Sequence, residues 1–133
     1  MTEPEGEVLD AAAVLVDAFA AGRVEEYFAC FAPEATFVFH AEPKRLGSRA
    51  AYRELWQRWE REDDFRVLEC VSSGGSALGV GADAAVFTHD VDTLVATGAG
   101  QERLAERETI VFARRDGRWL AVHEHLSARP LAT

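Results

Sequence analysis

Three ionisable side chains on strand-like segments in the second half of the chain are of types suited to proton transfer: His89, Glu108 and Glu124. Burial in an apolar cavity raises the pKa of a carboxyl group, which can then act as a general acid or base near neutral pH. A neighbouring histidine can orient such a group or share its proton. Residues of these types could carry out such chemistry if they share a cavity, and a purely structural histidine–glutamate pair is the alternative.

The stretch RWLAVHEHLS, residues 118–127, shows how such groups can be arranged. A strand sends alternate side chains to opposite faces, so His123 and His125 share one face and Glu124 lies on the other. Periodicity alone leaves open which of the two faces borders a cavity.

His123 and His125 could bind zinc together, since two histidines on one strand face are able to chelate a metal. A third ligand would have to come from the neighbouring strand, where an arginine and a threonine are poor ligands. We therefore predict no metal site. We expect the two histidines to form hydrogen bonds at a subunit interface instead, with partners among Thr109, Asp90 and Asp92.

Helical periodicity marks the first half of the chain. Residues 8–21 carry an apolar stripe at spacings of three and four, and residues 24–30 form a second, short helix. Ser48 is an N-cap for a third helix from 49 to about 62. Between the second and third helices, residues 35–40 are rich in β-branched and aromatic side chains and predict a strand.

The remainder of the chain predicts strands separated by turns. The first of these strands bends at SSGG, and the last two are joined by a tight turn at RDG. The four segments are residues 65–72 (resuming at 77–80), 84–97, 103–114 and 118–127. This order predicts an α+β fold in which helices cover one face of a curled antiparallel sheet and leave a conical cavity.

The bulk composition favours one globular domain. The chain has 133 residues, of which 48% are hydrophobic and 28% charged, so we expect one domain over 1–133 with loose tails at 1–6 and 129–133. The net charge of −9 argues against nucleic acid or a membrane surface as partner. Two cysteines are too few for a disulfide framework and the N-terminus lacks signal-peptide features, which favours a cytoplasmic protein.

Three segments resemble the nuclear transport factor 2-like superfamily: VEEYFACFAPEATFVFH, GSRAAYRELWQRW and ERETIVFARRDGRWLAVHEHLS. The resemblance is clearest to its SnoaL-like branch and to the association domain of calcium/calmodulin-dependent protein kinase II. It implies a cystatin-like cone, with the N-terminal helices on the concave face around a pocket, and a homodimer. The superfamily includes enzymes such as ketosteroid isomerase as well as non-catalytic adaptors, so it specifies the fold more closely than the function.

The resemblance also indicates which sheet face is concave. Positions that line the association domain's pocket match Val91, Ile110 and Leu126. The resemblance therefore implies that His89, Glu108 and Glu124 lie on the cavity side, and these three are our catalytic candidates. The aromatic stripe of the third helix is then core or pocket roof. The residues expected to contact a ligand are Phe39, Tyr52, Trp56, Trp59, Phe87, Val91, Ile110, Val122 and Leu126.

Two functions are consistent with such a pocket. The first is an isomerase, cyclase or dehydratase that needs no cofactor and acts on a small apolar organic ligand by general acid–base catalysis. The second is a non-catalytic ligand-binding or oligomerisation module like the kinase association domain. An enzyme requires a buried carboxyl group of raised pKa beside hydrogen-bond donors, whereas a module can have a narrow cavity and a large interface.

Overall fold

The computed structural model of the protein describes residues 3–130, and its elements follow the predicted α+β order. Three helices and five strands are present: α1 (Pro4–Ala20), α2 (Val24–Ala29), β1 (Phe31–Phe39), α3 (Arg49–Asp63), β2 (Arg66–Gly79), β3 (Ala84–Thr97), β4 (Gly100–Arg115) and β5 (Arg118–Ala128). None of the helices in this part of the chain combines the length and the apolar character that crossing a bilayer requires.

The five strands form one curled, open sheet in the order β1-β5-β4-β3-β2. Strands β2 to β5 are antiparallel neighbours, as predicted. Strand β1 differs, because it pairs with β5 in parallel at one edge of the sheet. Parallel neighbours need a long crossover, and α3 together with β2, β3 and β4 lies between these two strands in the chain.

Both ends of the described chain are more ordered than the predicted tails. Helix α1 begins at Pro4, a residue suited to the first turn of a helix, so residues 4–6 are helical. After β5, the backbone amide of Arg129 donates a hydrogen bond to the carbonyl of Ala105 at 2.9 Å. Residues 1–2 and 131–133, which belong to the predicted tails, lie outside the described residues.

A β-bulge in β5 reverses the predicted alternation of faces along this strand. Phe112 of β4 pairs with Ala121, and the residue before Phe112 pairs with His123, so Val122 has no partner of its own. An extra residue moves the following side chains to the other face. Ala121 is therefore buried on the same face as Glu124. The structure corrects the expectation for Val122, which lies half-buried with His123 on the opposite, convex face.

The helices pack over the concave face of the sheet. The cap of α3 is Ser48, whose side-chain oxygen accepts a hydrogen bond from the backbone amide of Ala51 at 3.0 Å. From this start, Tyr52, Leu55 and Trp56 face inward and are buried. The cap and the apolar stripe together fix which side of α3 closes the cone.

One carboxylate joins the first helix to the last hairpin. Trp119 Nε1 donates to Glu7 Oε1 at 2.8 Å, and the guanidinium of Arg114 lies 3.5 Å from the same oxygen. The Arg114 guanidinium also lies over the Trp119 ring, 5.3 Å from its centroid. Helix α1 is thereby held across the end of the sheet where β4 turns into β5.

Candidate functional site

His89 is fully buried on the concave face of β3 and contacts a polar side chain at each ring nitrogen. His89 Nε2 lies 2.6 Å from Glu108 Oε1 on β4, and Nδ1 lies 2.6 Å from Ser72 Oγ on β2. His89 and Glu108 are directly opposite each other in the antiparallel pair, which brings their side chains together. The predicted histidine–glutamate pair is thus present, and Ser72 extends it to the edge strand.

Glu124 is the most deeply buried carboxyl group of the site, with 2% of its surface exposed. It pairs with Ile110, one step diagonally from Glu108 on the same face. Burial raises the pKa of Glu124 well above its usual value, and the neighbouring charge and hydrogen bonding of Glu108 raise it further. The protonated form of Glu124 is therefore favoured, and its Oε2 has no hydrogen-bond partner among the described residues.

Two tyrosine hydroxyl groups lie on the helical side of the same space. The hydroxyl oxygens of Tyr27 on α2 and Tyr52 on α3 are 2.8 Å apart, so one hydroxyl donates to the other. Burial, followed by the charge of Glu124, raises the pKa of both tyrosines well above the usual value. Both phenols remain protonated, and one hydroxyl proton of the pair is left for a third group.

These polar groups line one small inner cavity of about 50 Å³. Its walls bring together the three predicted catalytic residues with the two tyrosines. The other lining residues are Leu15, Val16, Phe19, Cys70, Val91, Thr93, Glu106 and Leu126. The apolar side chains surround the carboxyl groups and keep bulk water away from them, which is the environment that raises a carboxyl pKa.

A larger apolar groove of about 370 Å³ adjoins the inner cavity. Its walls are mainly aromatic and aliphatic, and Trp56 Nε1 is a buried donor without a partner among the described residues. The groove is lined by Phe19, Phe39, His40, Ala41, Glu42, Tyr52, Trp56, Trp59, Asp63, Phe65, Val95, Leu104, Glu106 and Leu126. Four of these residues also line the inner cavity: Phe19, Tyr52, Glu106 and Leu126. The site is therefore a polar inner end behind an apolar outer groove.

A second histidine–glutamate contact lies at the outer edge of the groove. His40 Nε2 is 2.6 Å from Glu106 Oε2, and the His40 side chain is 38% exposed. The backbone carbonyl of Glu106 accepts a hydrogen bond from the Arg129 guanidinium at 3.1 Å. These contacts hold Glu106 on the wall that the groove and the inner cavity share.

Most of the predicted ligand-contact residues line one of the two spaces. Those that do are Phe39, Tyr52, Trp56, Trp59, Val91 and Leu126. Phe87 and Ile110 instead pack in the core on the same face, and Phe87 stacks near the His89 ring at 4.6 Å between centroids. Val122 lies on the other face because of the bulge.

Sequence reasoning missed the contribution of the first two helices and of several strand residues. The apolar stripe of α1 includes Leu15, Val16 and Phe19. Periodicity shows that such residues are buried but not whether they line a cavity or pack in the core. For three further residues, the only sequence signal of a role in the site was a position on the buried face of a helix or strand. These residues are Tyr27, Ser72 and Glu106. Cys70 also lines the cavity, and burial raises the pKa of its thiol to about 11.

The two histidines of β5 lie away from this site. His123 Nδ1 is 2.7 Å from Thr36 Oγ1 on β1, and the rings of His123 and His125 are 6.2 Å apart. Burial, with a smaller contribution from the positive charge of His125, lowers the pKa of His123. Within residues 3–130 no group of three or more histidine, cysteine, aspartate or glutamate side chains is arranged so that it could hold a metal ion.

Comparison with solved structures finds the same fold in proteins of low sequence identity. One is a candidate calcium/calmodulin-dependent protein kinase II association domain from Xanthomonas campestris, with 21% identity and a TM-score of 0.76 over 99% of this chain and 95% of the other. An uncharacterised cystatin-like protein from Caulobacter vibrioides gives 16% identity and a TM-score of 0.76 over 93% and 88%. A nuclear transport factor 2-like protein of unknown function in nutrient uptake, from Rhodospirillum rubrum, gives 17% identity and 0.79 over 92% and 98%.

At these identities the structural matches establish the fold alone. No curated protein matches the sequence. A family model described as a SnoaL-like domain matches residues 8–132, a range that begins within α1 and extends through β5. The chain therefore belongs to the SnoaL-like domain family.

Proposed function

We propose that the protein catalyses proton transfer on a small, mostly apolar organic molecule that carries a carbonyl or hydroxyl group. The observation that supports this proposal is the convergence of Glu108, His89 and protonated Glu124 at the inner end of a space whose outer part is apolar. The apolar part of the ligand fills the groove of aromatic residues, and its polar end reaches the carboxyl groups. We place the protein in the cytoplasm, where both cysteines stay as thiols.

The proposed roles follow from the partners of each side chain. Glu108 is the general base, because its carboxyl group lines the inner cavity and contacts the His89 ring, which orients it. Glu124 and the free hydroxyl of the tyrosine pair are donors to the oxygen on which negative charge develops. Such chemistry includes isomerisation, cyclisation and dehydration, and it requires no cofactor.

A test that does not depend on knowing the substrate is hydrogen exchange next to a carbonyl. The protein is incubated in D₂O with a panel of cyclic and aryl ketones, and NMR measures deuterium uptake at the carbon beside the carbonyl. We expect uptake with at least one ketone, and a rate lower by about 10²- to 10⁴-fold in Glu108→Gln. Glu102→Gln removes an exposed carboxylate on the same strand and serves as the matched control.

Binding is measured in parallel through the fluorescence of Trp56 and Trp59, which line the groove. Ketones that bind without any exchange would contradict the catalytic proposal. Equal exchange in the wild type and in Glu108→Gln would contradict the role of Glu108.

A second candidate function is a non-catalytic ligand-binding or oligomerisation module. It is favoured by the small inner cavity, since about 50 Å³ is well below the usual size of a ligand pocket. A ligand held only in the outer groove would bind without reaching the carboxyl groups. Binding without exchange in the experiment above is the outcome that this function predicts.

We also propose that the protein forms a homodimer through the convex face of the sheet. Paired positions place Leu78, Val86, Val111 and His123 in one row across β2, β3, β4 and β5 on that face. Leu78 is 67% exposed, and the row continues toward His125, next to His123 on β5. An apolar row bordered by polar side chains is typical of a surface that a partner covers.

A further inference from the structure

The buried carboxyl groups have a second polar connection besides the one toward the groove. From Glu108 the contacts pass to His89 at 2.6 Å and from His89 to Ser72 at 2.6 Å. Ser72 lies on β2, the edge strand of the sheet, and is exposed. The chain of contacts thus crosses from the inner cavity, through a fully buried imidazole, to solvent at the sheet edge.

We propose that Ser72, His89 and Glu108 form a route by which protons pass between solvent and the buried carboxyl groups without crossing the ligand groove. This proposal rests on the proposed function, because the route serves the same carboxyl groups. It can be tested without a ligand, so the two proposals can fail separately.

Each step of the route conserves protons and needs no co-reactant. When Nε2 of His89 carries the proton, the Ser72 hydroxyl donates to Nδ1. For inward transfer, the Ser72 proton moves to Nδ1, the oxygen takes a proton from water, and the Nε2 proton moves to Glu108. The product is the other imidazole tautomer beside a neutral Glu108 carboxyl group. Outward transfer is the reverse of these steps, and Glu124 lies one step diagonally from Glu108 on the same face, in the same cavity.

A second route for protons is needed when a ligand occupies the groove. The groove and the inner cavity share walls at Phe19, Tyr52, Glu106 and Leu126, so a ligand bound there separates the carboxyl groups from water on that side. Cys70 borders the cavity too, but with a pKa of about 11 its thiol keeps its proton and does not replace the imidazole. The path through Ser72 instead reaches solvent at the edge strand β2, where Ser72 is exposed.

The matched variants for a test are Ser72→Thr and Ser72→Val. Threonine and valine have nearly the same shape and both suit a strand, so the two variants differ mainly in whether a hydroxyl faces His89 Nδ1. Ser73→Val is the control variant, because it replaces the next serine of β2, whose side chain points to the opposite face of the sheet.

The measurement is the rate at which the ring N–H proton of His89 exchanges with water, by NMR on protein labelled with ¹⁵N-histidine. The chain has four histidines, and the ring signal of His89 is identified by its proximity to Phe87, whose ring centroid is 4.6 Å away. We expect exchange in Ser72→Val to be slower than in Ser72→Thr by about tenfold or more. Wild type, Ser72→Thr and Ser73→Val should exchange at similar rates.

Equal rates in Ser72→Thr and Ser72→Val would overturn the route, since the hydroxyl would then be irrelevant to exchange. Equal slowing in Ser73→Val would also overturn it, because a general stiffening of β2 would explain the effect. Backbone amide exchange along β2 and β3, recorded on the same samples, shows whether the variants change local opening instead.

Discussion

At the scale of single residues, two glutamates share one buried site but have different partners. Glu108 has His89 at 2.6 Å, whereas Glu124 has Glu108 as its nearest charged neighbour. Burial and the neighbouring charge of Glu108 favour the protonated form of Glu124, whereas the partner of Glu108 is an imidazole. The difference arises from cross-strand position alone, because Glu108 pairs directly with the histidine and Glu124 pairs with Ile110.

The protonation of Glu124 predicts how stability depends on pH. In the unfolded chain Glu124 titrates at about 4.3, and in the folded protein its pKa is higher. Between these values the folded protein binds one proton more than the unfolded chain. The free energy of unfolding therefore falls as pH rises through this interval, by up to about 1.4 kcal/mol per pH unit from this group. Glu124→Gln keeps the side chain neutral and should remove this fall.

Urea unfolding between pH 5 and pH 8 tests this expectation. The range lies above the pKa of glutamate in the unfolded chain, which is about 4.3. The stability of Glu124→Gln relative to the wild type should rise with pH. Glu102→Gln removes an exposed negative charge from β4 and controls for net charge. A difference between Glu124→Gln and the wild type that does not change with pH would contradict protonated Glu124.

At the scale of elements, the sequence signals identify the helices and strands better than their register. The aromatic stripe of α3 predicts its buried face correctly, because Tyr52, Leu55 and Trp56 recur at the spacing of a helix. In β5 the same kind of reasoning fails at Val122, since a bulge inserts one residue without any glycine or proline to mark it. The face of Glu124 was nevertheless predicted correctly. The resemblance placed Leu126 on the cavity side, and Glu124 and Leu126 both follow the bulge and share a face.

The parallel edge strand could not be predicted from periodicity. Neighbouring strands in sequence often pair with each other, but β1 pairs with β5, far along the chain. Neither the length of β1 nor its alternation of apolar and polar residues indicates which strand it pairs with. The convergence of His89, Glu108 and Glu124 was predicted from parity together with the resemblance. The contact with Ser72 depends on the register of β2, which shifts between Ser73 and Ser76.

The cap of α3 gives a prediction for this element. Ser48→Ala removes the acceptor for the Ala51 amide and should lower the free energy of unfolding by about 1 kcal/mol. Ser48→Asn offers another capping oxygen and should retain most of the stability. Urea unfolding of the three proteins measures the effect, and an equal loss in both variants would mean that the serine contributes by packing and not as a cap.

At the scale of the whole molecule, the two faces of the sheet have separate roles in the proposals. The concave face holds the cavities, and the convex face holds the apolar row with His123 and His125. A sheet whose two faces are both partly apolar needs cover on both sides. The helices supply it on one side, and a second copy of the chain is the proposed cover on the other.

Sedimentation at micromolar concentration tests this arrangement. We expect the wild type to be a dimer and Leu78→Glu to be a monomer, because the charge would be buried in the interface without a partner. Leu9→Glu replaces another exposed leucine, on α1 away from the convex face, and should remain a dimer. A monomeric wild type, or a Leu78→Glu variant that still dimerises, would exclude the convex row as the interface.

The link between Glu7 and Trp119 has a consequence for how the molecule reaches its folded state. Those residues are 112 positions apart, and β1 likewise finds its neighbour only in β5. Contacts so distant in sequence form late and slow folding, because the intervening chain must first be brought into place. On the ribosome, the edge of β1 that pairs with β5 stays uncovered until the final hairpin has been made, and during that interval the nascent chain is exposed to aggregation.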